Sequence, residues 1–193
     1  LAFTQCAAGP YAPVSRGAGF VYSAAGKSSA AGSDEDGDCI DCGAGKYGEG
    51  GAACIDCGAG KSSVAGSSAA GACSNCVVGK YGPGGVACID CGVGKYVDVA
   101  GKSAASACIG CPIGKYVGTT GSDSVSDCII CAKGKYADVT GTNACIECGA
   151  GKYLTDDGAT QNLHDSATDC ITCSAGSVTG KTGTGAFACT QCA

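Results

Sequence analysis

Nine Cys-x-x-Cys pairs dominate the sequence, and thiols at this spacing can do three kinds of chemistry. They can supply half of a tetrahedral zinc site, form a redox-active dithiol, or belong to a framework of disulfides. Successive pairs start 15 to 25 residues apart, so a fixed motif alternates with spacers of adjustable length. The pairs begin at Cys39, Cys54, Cys73, Cys88, Cys108, Cys128, Cys145, Cys170 and Cys189.

The spacing of the pairs favours disulfides over the two other chemistries. Nearly equal steps give no pair a designated partner for a four-cysteine zinc site, and the one histidine, His164, lies in a long spacer. A redox dithiol needs a single activated pair at the start of a helix, whereas this chain has many copies and no helical periodicity. A zinc-binding protein of the cell interior stays open as a third alternative. No metal or other cofactor is predicted.

The composition excludes several classes of protein. The 193 residues include 35 Gly and 19 Cys but no Met or Trp, so little apolar area is available for burial and cross-links must compensate. A net charge of −5 argues against binding to nucleic acid. No apolar run reaches the roughly 18 residues that cross a bilayer. A start at Leu1 fits a mature secreted protein or a fragment.

The pairs are embedded in a longer repeat that must position them. A glycine follows the second Cys by three residues in eight pairs, usually as Gly-Lys-Tyr. We expect this glycine to adopt a positive φ and the tyrosine ring to pack over a neighbouring disulfide. Runs such as Tyr-Val and Cys-Ile predict strands of two or three residues between surface loops. The predicted fold is therefore small and disulfide-rich: an elongated solenoid or rod of tandem modules with short β-strands, loops and almost no helix.

The N-terminal part repeats the pattern with cysteines missing. Phe3 and Phe20 stand where a first Cys is expected, and Ser23 stands where a second is expected. We therefore divide the chain into degenerate modules over residues 1–38 and tandem repeats over 39–193, the last of which ends mid-module.

The stretch Cys108-Ile-Gly-Cys111-Pro112-Ile-Gly114-Lys-Tyr116 carries a family resemblance. With its spacer and the next pair, it resembles the cysteine-rich repeats of the ephrin-receptor-like family, which are similar to the modules of growth-factor and tumour-necrosis-factor receptors. The family more often has Thr or Ser where this chain has Lys. The resemblance extends over essentially the whole chain and implies an extracellular, disulfide-linked rod without enzymatic activity.

The repeat suggests a sequential connectivity, in which the second Cys of each pair bonds the first Cys of the next. The missing cysteines at Phe20 and Ser23 leave Cys6 and Cys39 to pair together, and Cys192 remains unpaired or forms an intermolecular bond. A crossed scheme that groups the pairs in twos is the alternative. The sequential scheme predicts Cys42–Cys54, Cys57–Cys73, Cys76–Cys88, Cys91–Cys108, Cys111–Cys128, Cys131–Cys145, Cys148–Cys170, Cys173–Cys189 and Cys6–Cys39.

Other motifs have ordinary interpretations. Three Gly-Lys-Ser triplets lack the first glycine of a phosphate-binding loop. The acidic segment 34–38 and Asp156-Asp157-Gly158 are interpreted as solvated loops and His164 as a plain loop residue. A column of lysines faces a partial column of acids within the pairs, and such exposed pairs contribute only about 0–1 kcal/mol each. The lysines are Lys46, Lys80, Lys95, Lys115, Lys135 and Lys152, and the acids are Asp41, Asp56, Asp90 and Glu147.

These observations predict a non-enzymatic, extracellular structural protein that is secreted or held at the cell surface. The first hypothesis is the subunit of a disulfide-stabilised filament, such as a flagellar hair, that self-associates head to tail. The alternative is the stalk of a receptor or adhesion ectodomain that presents a binding site. The Ser- and Thr-rich loops offer positions for O-linked glycans.

Overall fold

A computed structural model describes residues 25–28, 39–49, 53–178 and 189–191. In this part of the chain all regular structure consists of two-residue strands and three-residue 3₁₀ turns. The strands are β1 (Lys27–Ser28), β2 (Ile40–Asp41), β3 (Lys46–Tyr47), β4 (Ile55–Asp56), β5 (Lys61–Ser62), β6 (Ser74–Asn75), β7 (Lys80–Tyr81), β8 (Ile89–Asp90), β9 (Lys95–Tyr96), β10 (Ile109–Gly110), β11 (Lys115–Tyr116), β12 (Ile129–Ile130), β13 (Lys135–Tyr136), β14 (Ile146–Glu147), β15 (Lys152–Tyr153), β16 (Ile171–Thr172), β17 (Ser177–Val178) and β18 (Thr190–Gln191).

Consecutive strands pair in twos, so every described strand belongs to a small two-stranded sheet. In the antiparallel hairpin of β3 and β4, Tyr47 lies opposite Ile55 and Lys46 lies opposite Asp56. The same register places Tyr136 opposite Ile146 in the hairpin of β13 and β14. Each hairpin thus joins a Gly-Lys-Tyr segment to the interior of the next Cys pair. The predicted strand length of two or three residues is correct, but the strands are Lys-Tyr and Ile-Asp rather than Tyr-Val and Cys-Ile.

The glycine that stands three residues after the second Cys position of a module, here called the turn glycine, has a positive φ in nine described modules, as predicted. Only glycine adopts this region without steric cost, which explains why the position does not vary. The φ values run from 71° to 90° for Gly26, Gly45, Gly60, Gly79, Gly94, Gly114, Gly134, Gly151 and Gly176.

Short 3₁₀ turns lead into several of the first cysteines. Two of them, Val125–Asp127 and Ala167–Asp169, begin with capping boxes in which a serine and an aspartate satisfy each other's backbone N–H groups. The other described turns are Ala70–Ala72, Ala105–Ala107 and Gln161–Leu163.

The core consists of sulfur and small apolar side chains, as the composition requires. The described residues form two compact units, one reaching to Ile89 and including Ala100–Ala107, the other containing Asp90–Val99 and the chain from Cys108 onward. The tandem disulfide-rich fold is therefore established, whereas the elongated solenoid stays a prediction. Most of the degenerate region 1–38 lies outside the described residues.

Candidate functional site

Eight disulfides in the described part of the chain join the second Cys of one pair to the first Cys of the next. These are the bonds of the sequential scheme, with Cα–Cα distances of 5.6 to 5.8 Å. Cys39 is also disulfide-bonded. The partner predicted for it, Cys6, and the leftover Cys192 both lie outside the described residues. The bonds are Cys42–Cys54, Cys57–Cys73, Cys76–Cys88, Cys91–Cys108, Cys111–Cys128, Cys131–Cys145, Cys148–Cys170 and Cys173–Cys189.

The two cysteines of a pair differ in their environments. The second cysteines from Cys42 to Cys148 are almost inaccessible, with Cys42, Cys91 and Cys131 fully buried, whereas Cys173 is partly buried. Several first cysteines, such as Cys54 and Cys88, are only partly buried. The buried sulfur belongs to the same residue that starts the turn, so the disulfide fixes the corner of each module from inside.

Backbone hydrogen bonds around the turn glycine connect several modules to the next one. The N–H of Gly114 donates to the carbonyl of Ala137 at 2.7 Å, and the carbonyl of Gly114 accepts from the N–H of Cys131 at 3.0 Å. Six described turn glycines donate in this way, always to the third residue after the next turn glycine. The donors and acceptors are Gly26 to Gly48, Gly45 to Ser63, Gly60 to Gly82, Gly94 to Val117, Gly114 to Ala137 and Gly134 to Leu154.

The spacer loops add a second set of bonds to the preceding module. In the serine loop (residues 118–127), Gly121 donates to the carbonyl of Cys91 at 2.9 Å, and Ser122 accepts from the N–H of Val97 at 3.1 Å. Gly101 and Lys102 make the corresponding bonds to Cys76 and Gly82. The loops are therefore structural ties, although their composition had predicted only surface loops.

Wherever the structure describes it, the third residue after a turn glycine is buried, a position that the sequence pattern did not single out. In one cluster Val117 packs with Cys111 and Cys128, and Tyr96 of the preceding module lies against it. Tyr136 covers a matching cluster that contains Leu154. The predicted packing of tyrosine on a neighbouring disulfide is confirmed at these two sites. The buried residues are Gly48, Ser63, Gly82, Val97, Val117, Ala137 and Leu154.

The predicted facing of lysines and acids is confirmed within hairpins. Lys46 contacts Asp56, and the ammonium of Lys135 lies 3.4 Å from the carboxylate of Glu147. A third pair, Lys27 with Asp41 at 3.2 Å, involves a lysine that the prediction had not included. All these side chains are about one third or more exposed, so solvent screens the pairs and each contributes little.

His164 corrects an interpretation made from the sequence. It lies in the histidine loop (residues 155–169) and is completely buried rather than a plain loop residue. Its Nδ1 is 2.8 Å from the carbonyl of Lys135, and its Nε2 is 2.8 Å from Oδ1 of Asp156. Its own carbonyl accepts from Ala137, as the carbonyl of Ser122 does from Val97.

Asp156 is likewise not a solvated loop residue. Its Oδ1 accepts hydrogen bonds from the backbone N–H groups of Gly158, Ala159 and Thr160. The hydrogen bond with His164, reinforced by these backbone bonds and opposed by partial burial, lowers the pKa of Asp156 to about 2. The segment thus organises a buried polar centre at the end of the hairpin.

The sequence does contain a signal for the residues, such as His164 and Ser122, whose carbonyls accept from the preceding module. His164 lies six residues before Cys170, and Ser122 lies six residues before Cys128. Ser67 and Lys102 occupy the same distance before their cysteines, and all four carbonyls accept from the preceding module. Counting backward from the first Cys would have identified these residues, whereas counting forward from the turn glycine does not.

Exposed isoleucines recur in the sequence beside the first cysteines, and this set is here called the isoleucine row. In seven modules the residue after the first Cys is an isoleucine with 41 to 64% of its surface exposed. Five of them lie opposite a tyrosine across the hairpin, and Ile40 lies opposite Ser28. They are Ile40, Ile55, Ile89, Ile109, Ile129, Ile146 and Ile171.

The described residues contain no cluster of three or more side chains that suits a metal ion. The acidic segment 34–38 lies outside them. Lys27-Ser28 and Lys61-Ser62 are β-strands, so these two Gly-Lys-Ser triplets do not begin helices that would hold phosphate. No helix in the described ranges has the length and apolarity to cross a bilayer.

Comparison with known families finds a match for part of this repeat. The family model described as tyrosine-protein kinase ephrin type A/B receptor-like matches residues 79–128 and 118–164. No curated protein matches the chain. The match spans the strands from β7 to β15 and the loops between them, with the Gly-Lys-Tyr turns described above. Residues 79–164 therefore carry ephrin-receptor-like cysteine-rich repeats.

Proposed function

We propose that the chain is a non-enzymatic repeat region of an extracellular, receptor-like ectodomain, in which the modules space or present a binding site. The observation that carries the proposal is the double tie between neighbours, a disulfide and a set of backbone bonds. Disulfides form and persist in oxidising compartments, which supports an extracellular location. Cross-links in every module also suit a region that must resist proteases and mechanical load.

The chemistry of the described residues supports a role without catalysis. Every cysteine in this part of the chain is disulfide-bonded, so none offers a thiolate as nucleophile or zinc ligand. His164 is buried, and both of its ring nitrogens are engaged. The residue types that most often act as nucleophile and general base are therefore withheld from solvent.

Self-association is a second candidate, favoured by the exposed isoleucine that recurs in seven modules. Large exposed apolar patches on a soluble protein often mark an interaction site. A head-to-tail filament would use such a surface or an intermolecular bond of Cys192, and O-linked glycans on the loops would leave the row accessible. The filament and the glycans remain hypotheses.

Secreted expression tests the proposed function. The chain is produced with a secretion signal, and its mass and free thiols are measured before and after reduction. The proposal expects a protein without reactive thiols in the ordered modules that resists protease until reduced. A reduced, zinc-loaded and folded protein would instead support the intracellular alternative.

Light scattering then separates the two extracellular candidates. A stable monomer supports the ectodomain region, whereas polymers that grow with concentration support a filament. Ile109→Thr, Ile129→Thr and Ile146→Thr together should abolish association if the isoleucine row mediates it. The matched control replaces exposed loop valines instead, as Val99→Thr, Val125→Thr and Val139→Thr. Sequencing the encoding transcript would identify an anchor or further ectodomain modules.

A further inference from the structure

The hydrogen bonds around His164 determine where its protons lie. Nδ1 faces the carbonyl oxygen of Lys135 at 2.8 Å, and a backbone carbonyl can only accept a hydrogen bond. A hydrogen must therefore be on Nδ1. The ring is completely buried, so no solvent molecule is available at its surface to serve as a different partner.

The other nitrogen also faces an acceptor. Oδ1 of Asp156 lies 2.8 Å from Nε2 and accepts from the backbone N–H groups of Gly158, Ala159 and Thr160 at 3.0 to 3.2 Å. An oxygen surrounded by these donors has no direction left for an acid proton of its own. Nε2 must then donate to it. An imidazole with hydrogens on both nitrogens is a cation.

We propose that His164 is bound as an imidazolium and acts as a proton-dependent latch for the histidine loop. With both hydrogens present, the ring joins Asp156 of its own loop to the carbonyl of Lys135 in the preceding module. When one hydrogen is lost, the ring has a single donor left for two acceptors, the carbonyl of Lys135 and Oδ1 of Asp156. One contact must then break, and the loop loosens from the module before it.

The surrounding charges agree with this arrangement. Asp156 is the carboxylate in contact with the ring, and the low pKa of Asp156 keeps it ionised over the physiological range. On β13, the ammonium of Lys135 is directed to Glu147 of β14. Within the loop, the carboxylate of Asp169 caps the N–H of Ser166. Asp157 and Asp165 are the other carboxylates of the loop.

The sign of the pH dependence follows from the hydrogen bonds. Both contacts of the ring are made only while it carries two hydrogens, so the latch is closed in mildly acidic solution, where Asp156 is ionised. Loss of one hydrogen on raising the pH removes one contact. The effect is local, because the Cys148–Cys170 disulfide still closes the loop.

The hydrogen bond from Ala137 to the carbonyl of His164, at 2.8 Å, reports the state of the latch. Its matched control is the bond from Val97 to the carbonyl of Ser122, which occupies the same place in another module without a titratable side chain. Hydrogen-exchange protection factors of both amides are measured from pH 5 to pH 9 on the full chain, since protection factors remove the intrinsic pH dependence of exchange.

We expect the protection of Ala137 to fall at least about tenfold as His164 deprotonates, the scale of a hydrogen bond to a charged group. The protection of Val97 should stay constant. Equal pH profiles for the two amides would overturn the proposal. In His164→Gln the side chain cannot titrate, so a profile for Ala137 that still follows the wild type would overturn it too.

A spectroscopic measurement needs no variant. The ¹⁵N chemical shifts of the His164 ring, recorded while Ala137 is protected, should be those of two protonated nitrogens. A neutral tautomer in the protected state would refute the latch. Because the chain has a single histidine, the ring signals are assigned without ambiguity. The outcome is independent of whether the chain serves as an ectodomain region or a filament.

Discussion

The serine loop and the histidine loop reach the same backbone position by different means. In the serine loop a positive-φ glycine, Gly121, bonds the preceding module, and the small Ser122 follows it. In the histidine loop Leu163 stands in place of the glycine and is 46% exposed. The buried ring of His164 makes the connection together with Asp156.

The difference shows that the fixed element of a module is a carbonyl in a given place rather than a given side chain. Where glycine permits a tight turn, the backbone bonds suffice. Where the loop is longer, as in the 22-residue separation of Cys148 and Cys170 against 17 for Cys111 and Cys128, side-chain hydrogen bonds hold the same carbonyl.

Removing a disulfide should produce the largest loss of stability, and the loss should be similar for the two loops. Replacing both cysteines by alanine, in Cys148→Ala/Cys170→Ala or Cys111→Ala/Cys128→Ala, should lower the free energy of unfolding by about 3 kcal/mol in each case. The two losses should differ by only a few tenths, since loop length enters as a logarithm. Urea unfolding followed by tyrosine fluorescence measures both. A much smaller loss for the histidine loop would mean that its side chains replace the cross-link.

Truncating the side chain of His164 or Ser122 should destabilise the histidine loop more than the serine loop. His164→Ala removes a buried ring and leaves two acceptors without a donor, so we expect a loss of about 2–3 kcal/mol. Ser122→Ala removes one hydroxyl and should cost less than about 1 kcal/mol. The same urea experiment compares them. Equal losses would show that the ring does not hold its loop.

Substitution at the preceding residue, Gly121 or Leu163, should destabilise the serine loop more than the histidine loop. Gly121 has a φ of +74°, and a Cβ there would lie 3.0 Å from Oδ1 of Asp90. Gly121→Ala should therefore cost about 1–2 kcal/mol. Leu163→Ala, at an exposed position, should change the stability by less than about 0.5 kcal/mol. If the leucine variant proved the more damaging, the equivalence of the two positions would be wrong.

Acid should loosen the contacts of Asp156 in the histidine loop, and this is the smallest expected effect. The hydrogen bond with His164 lowers the pKa of Asp156 from 3.8 to about 2. The ionised carboxylate therefore stabilises the fold at pH values above the pKa of the unfolded chain. That stabilisation declines as the pH falls from about 4 through about 2. NMR spectra of the Asp156 carboxyl carbon and of the Thr160 amide should change together over this range. The amide of Val97 serves as the control and should not respond.

Much of the fold was predictable because the same motif recurs along the sequence. The turn at Gly114 and the packing of Tyr96 on the next disulfide both follow from a repeated residue with one physical role. The family resemblance, predicted from Cys108–Tyr116, agrees with the matched segment 79–164. The filament hypothesis stays a prediction, because the family match does not test it.

The polar centre was not predictable in the same way. His164 occurs once, so no repeat indicates its role, and a loop rich in Asp looks solvated when its backbone donors are unknown. Ile129 shows the opposite problem, because an isoleucine in a strand suggests burial although the two-residue sheet leaves it 57% exposed. In so small a hairpin the disulfide occupies the core, and an adjacent apolar side chain remains outside.

The fixed geometry of the disulfides has a consequence for engineering. Their Cα–Cα distances vary by only 0.2 Å, whereas the sequence separations they close run from 12 to 22 residues. Lengthening a closed loop from the short to the long limit costs only about 0.5 kcal/mol of chain entropy. Foreign peptides grafted at exposed loop positions such as Thr119 and Thr120 should therefore be displayed without disturbing the modules on either side.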